Sequence, residues 1–570
     1  MTQPAKRISL LGRRTGRATL IRWLLFALPL TFLALFYLYP LLGIVRQSLF
    51  AGGSWNPGQL AALIDSPVYL RILWFTTWQA ALSTLLTLLL ALPGAYIFAR
   101  YRFFGKGLFL ALMTIPFVLP TVVTATAFRA LLGPGGMVNE LLIALFTLDR
   151  PPVRIEQSLI YFLLAHIFYN YALILRLVGG YWAGLNPDLA AAARMLGASP
   201  WQSFRRVTLP LLLPAIGAAA LLVFIFCFTS FGIILILGGP GYATLEVEIY
   251  RQAVQLFNLP MAAALSLVQI AVNFGLMWLH ARLSRRVSFF GGDSGSRATP
   301  ARSRASRLLI LANLLAIALL LLTPLLALLF HSFSGEKGLT LAYYRALVMV
   351  DTGSVFFIAP LAAIGNSIGF AAVAMVLAVL LGLAAATFLA TDRSRATSLW
   401  DALLMLPLAT SAVTLGFGYI ITLNRPPLDL RDSLALIPIA HTLVAFPFVV
   451  RCILPSLRRI PTSLREAASL LGCSPLQVWR RVDLPLSRQA ILVGAVFAFS
   501  ISMGEFGASA FVTRPHTATM PVAIFRFLGQ PGELNYGQAM AMSSLLMLVT
   551  CSAFWLLGRY AADNQAKSLP

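Results

Sequence analysis

The stretch REAASLLGCSPLQVWRRVDLP occupies Arg465–Pro485, and AAAARMLGASPWQSFRRVTLP occupies Ala190–Pro210. The two are one half-polar sentence written twice, 275 residues apart, in a chain that is otherwise apolar. The register holds outward from them. The same offset pairs His166 with His441, Arg176 with Arg451, Pro210 with Pro485, Phe231-Gly232 with Phe506-Gly507 and Arg251 with Arg526. Before these stretches the offset changes: LMTIPFVLP around Pro116 resembles LLMLPLATS around Pro407. The first copy therefore carries an insertion in the loop GPGGMVNELLIALFTLDRPPVRIEQ. The chain is an internal duplication.

Composition sets the solvent. Hydrophobic residues make up 59% of the 570-residue chain and charged residues 11%, against roughly 25% charged in soluble domains. Apolar runs long enough to cross a bilayer as helices recur twelve times, six per copy. The first six centre on 30–42, 80–91, 110–122, 160–175, 218–235 and 262–277; the second six on 309–329, 368–385, 402–416, 434–450, 491–509 and 539–557. The first run is too long for a signal-peptide core and lacks a following cleavage site, so it reads as a retained helix. An even number of spans per copy makes the repeats parallel, related by an axis along the membrane normal. The predicted fold class is an all-α integral membrane protein of twelve transmembrane helices in two six-helix repeats. Its parts are a first half at 1–290, a Gly/Ser/Arg-rich linker at 291–306, expected to be flexible and solvated, and a second half at 307–570.

The formal charge of +24 raises nucleic-acid binding, but its distribution argues against it. Lys6, Arg7, Arg13, Arg14 and Arg17, the loop Arg100–Lys106, the arginines between 282 and 307, Arg393 and Arg395, and the Arg205-Arg206, Arg458-Arg459 and Arg480-Arg481 pairs all fall on one side of a twelve-span topology. Loops on the other side hold mixed charge, including Glu140, Glu156, Glu246, Glu248, Glu336, Asp351 and Glu533. This asymmetry is the positive-inside pattern and places both termini in the cytoplasm. Cys227, Cys452, Cys473 and Cys551 avoid the outer loops, so no disulfide framework is expected.

The twice-written stretch falls between spans four and five, on the cytoplasmic side. Leu464, Ala467, Ala468 and Leu471 recur at i, i+3, i+4 and i+7, one apolar helix face. Gly472 and Gly197 stop that helix. Ser474-Pro475 and Ser199-Pro200 supply an N-cap and a proline at the first helical position. A second short helix carries the double arginine, and Leu-Pro is expected to end it. One such elbow reads equally well as an amphipathic loop on lipid. Two at matched positions point to a docking element for a two-fold partner.

The pattern Glu-Ala-Ala, three residues, Gly, then Leu-Pro resembles the signature loop of ABC-importer permeases. EAASLLGCSPLQVWRRVDLP matches it closely; the first copy has Ala191 in place of the glutamate. The resemblance covers essentially the whole chain, as two fused permeases of the type I fold. Fusion of two six-span halves is most similar to the thiamine and ferric-iron importer permeases. Residues 226–253 and 500–529 look closer to the thiamine branch; iron or a polyamine stay open as cargo. The resemblance implies that Ala191, Ala192, Gly197, Arg205 and Arg206, with Glu466, Ala467, Gly472, Arg480 and Arg481, dock on two ATPase subunits. It also implies a substrate-binding protein on the outer face. Glu466 then pairs with a basic group on the ATPase, and the second docking site is the tighter. No GxxxxGK[ST] loop occurs in the chain, so ATP and Mg would sit on the partner and this chain would hold no cofactor and be no enzyme.

Intramembrane polar residues complete the candidates. Glu505, with Ser230 at its matched position and Phe231 and Phe506 beside them, reads either as part of a pathway or gate or as a satisfied structural carboxylate. His166 and His441 are matched and read as structural rather than metal-binding. The rival classes are an ion-driven transporter, which has no need of paired elbows, and a membrane enzyme, for which paired carboxylates or clustered histidines are absent from the sequence.

Overall fold

A computed structural model describes residues 26–50, 54–55, 57–290, 298–335, 338–348, 358–392, 394, 396–426 and 428–567. Lys6, Arg7, Arg13, Arg14, Arg17, Arg297, Arg393, Arg395, Glu336, Asp351 and the first part of the linker lie outside them. The main helices of the first copy are α1 Phe26–Leu49, α2 Pro67–Arg100, α3 Thr121–Leu132, α4 Leu159–Gly184, α5 Pro187–Met195, α6 Pro200–Phe228 and α7 Leu259–Phe290. Those of the second are α8 Arg304–Phe333, α9 Pro360–Thr391, α10 Ala412–Thr422, α11 Leu436–Arg459, α12 Thr462–Leu470, α13 Pro475–Gly504 and α14 Glu533–Lys567. Among the described residues 11 helices are long and apolar enough to span, or 12 if one bent pair counts as a span.

Small residues build the core. On α2, Thr76, Ala80, Ser83, Thr87, Ala91 and Ala95 are buried at spacings of three or four. On α9, Ala363, Ser367, Ala371, Ala374, Ala378, Gly382 and Ala385 do the same. Between helices in lipid, association rests on close van der Waals approach, which small residues permit. A Cβ on Gly382 would meet Val449 Cγ1 at 2.7 Å, so α9 and α11 pack too closely there for alanine. The resulting triads are α2, α4 and α6 in one compact unit and α9, α11 and α13 in the other.

The compact units do not coincide with the sequence halves. One comprises 1–46, 354–520 and 548–570; the other comprises 47–353 and 521–547. The first span of each copy thus packs in the other copy's unit. Phe26 on α1 stacks on Phe388 at 3.8 Å, and the Tyr37 hydroxyl lies 2.7 Å from Thr410 Oγ1. In the other unit α8 packs on α3.

Three sequence expectations are corrected. The third span of the first copy is not centred on 110–122. Short helices Lys106–Leu112 and Thr114–Val118 precede α3, and the span-length run is Thr121–Phe146. Pro116 and Pro120 interrupt the backbone ladder there. In the second copy Thr397–Ala409 and α10 meet at 90°. The 291-residue offset between these broken spans pairs Thr121 with Ala412, so the break itself is duplicated. Second, Glu246 and Glu248 do not lie in a solvated loop. They are 2% and 0% exposed on the helix Leu245–Tyr250. Gln269 Nε2 donates to Glu246 at 2.6 Å, and Arg251 pairs with Glu248 at 2.9 Å. Third, the end of the linker is pinned: Thr299 and Pro300 (β2) run parallel to Tyr101 and Arg102 (β1). Ser303 then caps α8 by accepting from Ser306 N at 3.1 Å.

Candidate functional site

The two elbows share one backbone. Helix α5 ends in a six-to-one bond from Ala198 N to Ala193 O, and α12 in the same bond from Cys473 N to Ala468 O, both 3.1 Å. Gly197 and Gly472 each sit at φ +88°, the left-handed conformation a glycine adopts without steric cost. Ser199 and Ser474 cap the helices that begin at Pro200 and Pro475. Each accepts from the backbone N–H three residues on, and Gln202 or Gln477 reaches back to the serine N–H. Serine and proline announce the cap in the sequence; the glutamine at the third helical position is the quieter half of the same signal and completes the reciprocal box.

Leu-Pro does not end the second helix. The chain passes through one π-turn, Phe204–Thr208 or Trp479–Asp483, and continues into the fifth span. Leu209 N bonds Phe204 O, and Leu484 N bonds Trp479 O. Proline lacks an N–H, but at the start of a resumed helix the widened turn needs none from it. The second helix of each elbow is therefore continuous with the fifth span, as one piece of α6 or α13.

Their tips are bare. Ala191, Ala192, Gly197, Arg205 and Arg206 are exposed, as are Glu466, Ala467, Gly472, Arg480 and Arg481. Large apolar side chains share that exposure: Met195 and Leu196 at 89%, Leu470 at 89% and Leu471 at 86%. The apolar face read from Leu464 and Leu471 is thus not packed on the rest of the described residues. Contiguous apolar exposure beside arginines is what a protein-docking surface presents.

A second matched constellation lies where the fifth span breaks. In the first copy α6 stops at Phe228, and a short helix Gly232–Leu237 comes next. In the second, α13 stops at Gly504 before Ser509–Val512. Each short helix packs on the broken third span of its own copy, α3 or α10. Contact at the second break is tight: a Cβ on Gly416 would meet Ala508 Cα at 2.8 Å.

His166 and His441 staple these breaks. Ser83 Oγ and Ser230 Oγ lie 2.9 Å from His166 Nδ1 and Nε2. Ser502 Oγ lies 2.7 Å from His441 Nδ1, and Ser509 Oγ 2.8 Å from Nε2. Glu505 Oε2 is 3.3 Å from His441 Nε2. Its carboxylate accepts from Ala508 N at 2.7 Å, Ser509 N at 2.9 Å and Ser509 Oγ at 2.7 Å. With the Ser509 hydroxyl donating to Glu505, the set closes if His441 Nε2 carries the hydrogen and Nδ1 accepts from Ser502. Ser230 and Glu505 occupy the same position and touch the same histidine of their copy. Phe231 and Phe506 are 5% and 2% exposed, and Phe231 lies 5.4 Å from Tyr250, ring to ring. Register alone pairs the two histidines, whereas hydropathy alone makes the fifth spans continuous. The clusters FTSFG and MGEFGAS, short polar residues beside glycine, are the signal for the breaks.

Residues 83–289 match the protein-family model described as binding-protein-dependent transport system inner membrane component. The thiamine transport system permease protein of Brucella abortus is 29% identical over 546 residues, covering 94% of this chain and 95% of the relative. That of Escherichia coli is 26% identical, covering 87% and 90%. Among solved structures, a bacterial ABC transporter involved in alginate import aligns at 22% identity with a TM-score of 0.41, covering 48% of this chain and 98% of its own. The chain is a multi-pass membrane protein similar over nearly its whole length to permeases of binding-protein-dependent transport systems.

Proposed function

We propose that this importer permease carries thiamine, or a thiamine phosphate, from a binding protein into the cytoplasm, driven by ATP hydrolysed on two separate subunits docked at its elbows. What carries the mechanism is the pair of elbows: identical backbones, bare apolar tips, and continuity with the fifth span. The cargo rests on near-full-length similarity to permeases named for thiamine.

The physical order of events comes from that continuity. A partner that closes on ATP draws its two docking clefts together and carries Gly197 and Gly472 with them. Helices α6 and α13 transmit the displacement to the breaks, where the short helices Gly232–Leu237 and Ser509–Val512 rest on α3 and α10. A displacement there alters which side of the bilayer the path opens to. Glu505, Ser230, Phe231 and Phe506 are the positions that such a movement rearranges first. Substrate choice belongs largely to the binding protein. The positive-inside pattern of the sequence supports a topology with both termini and both elbows in the cytoplasm.

The test is reconstitution of the chain with its ATPase in liposomes, with binding protein loaded in turn with thiamine, thiamine phosphates, ferric iron or a polyamine. Thiamine accumulation that requires ATP is the expected result. Accumulation of another cargo instead corrects the substrate, and uptake driven by a proton gradient without the ATPase overturns the class.

A further inference from the structure

The two elbows share a backbone but are fastened differently. In the second, Arg465 Nε donates to Asp483 Oδ1 at 2.7 Å, and Arg465 Nη2 donates to Leu457 O at 3.1 Å. Asp483 closes the π-turn and is 6% exposed, and its backbone carbonyl accepts from Ser487 Oγ. One guanidinium thus ties three pieces: the end of α11, the docking helix α12 and the π-turn near the start of α13. In the first elbow the matched positions are Ala190 and Thr208, which form no ion pair. There Ser203 Oγ donates to Ala190 O at 3.0 Å, a neutral bond between α5 and the start of α6.

We infer that Arg465 and Asp483 form a stiffening clamp that makes the second elbow the dominant lever of the ATP-driven stroke, the first elbow responding more compliantly. This rests on the proposed importer function and adds an asymmetry within it. A docking helix hinged at a glycine passes on force only as far as the hinge resists bending. Side-chain packing does not brace Gly472, since no atom beyond its chain neighbours lies within 4 Å of a Cβ placed there. A shielded, charge-assisted bond across the elbow supplies what the glycine lacks. The pair is a positioning device: it neither forms the exposed docking face nor lines the membrane path.

The experiment is thiamine uptake per ATP hydrolysed in liposomes holding the chain, its ATPase and loaded binding protein, with bound ATPase quantified alongside. Arg465→Gln and Asp483→Asn each lower that ratio by about tenfold, the size of one charged hydrogen bond, while ATPase stays attached. The charge-swapped pair Arg465→Asp/Asp483→Arg recovers part of it, which a general loss of structure does not. Ser203→Ala in the first elbow leaves the ratio within about twofold, as expected for a neutral bond. An unchanged ratio in both second-elbow variants, or an equal fall in Ser203→Ala, overturns the clamp. If Arg465→Gln does not accumulate in the membrane, Ala190→Arg/Thr208→Asp in the wild-type chain decides: a raised ratio supports the inference and an unchanged one overturns it. Failure of the wild-type assembly to couple ATP to uptake is a separate result and counts against the importer function itself.

Discussion

At the break of the fifth span the first copy sets Ser230 against His166, and the second sets Glu505 against His441, on the same duplicated backbone. At the elbows the first copy has Ala191 and Ala190 where the second has Glu466 and Arg465. In both places the second copy holds by charge what the first holds by hydroxyl or leaves apolar. A duplicated gene begins with two equal halves. Backbone geometry is shared at both places while the charge there sits in the second copy; at Glu246 and Glu248 the imbalance is reversed, the matched residues being Pro521 and Ala523. At the fifth-span break and at the elbow the two copies therefore share a backbone and differ in electrostatics.

The largest effect that breaks this comparison is at Glu505. Glu505→Ala leaves two buried N–H groups and His441 without their acceptor. It is expected to cost roughly 3–5 kcal/mol, the usual result of removing one member of a buried charged network. Ser230→Ala removes one neutral bond and costs about 1 kcal/mol. Thermal unfolding in detergent reads both, and equal shifts would show that the asymmetry is without consequence. Next is Gly416→Ala, which drives a Cβ into Ala508 backbone and is expected to cost about 1–3 kcal/mol by overpacking. The matched residue in the first copy is already Ala125, so that break accepts the methyl group.

A smaller effect tests the shared backbone. Gly197→Ala and Gly472→Ala each place a side chain at φ +88° with open space around it. Each is expected to cost about 1 kcal/mol, the left-handed penalty, and equally in both copies. Unequal costs would mean that the elbows differ in backbone as well as in fastening. The smallest expected effect is on docking. Glu466→Ala lowers the amount of ATPase that co-purifies with the chain more than Ala191→Glu raises it. Equal retention by the two variants would remove this difference between the docking sites.

Much of this is legible in the sequence because it is local or repeated. The elbows come from glycine, serine and proline at fixed spacings, which act within a few residues of themselves. The duplication comes from register alone, and the pairing of His166 with His441 comes with it. The features that sequence reading misses have one cause. Hydropathy sums over a window, so it does not register a break inside an apolar run. Leu110–Val122 and Ala402–Gly416 read as single spans although Pro116, Pro120 and Pro407 interrupt them. Glu246 reads as a loop charge because its partner Gln269 stands in a run scored for its apolar neighbours.

By itself the sequence determined a duplicated, bilayer-spanning helical chain with a docking elbow in each copy, because composition, period and turn chemistry are properties of short stretches. Only the tertiary structure decided that each first span packs in the other copy's unit, that His441 holds Glu505 across a broken helix, and that Arg465 reaches Asp483. These are contacts between residues 18 to several hundred positions apart, and closeness of that kind is set by how small-residue faces pack, which the order of the residues does not state.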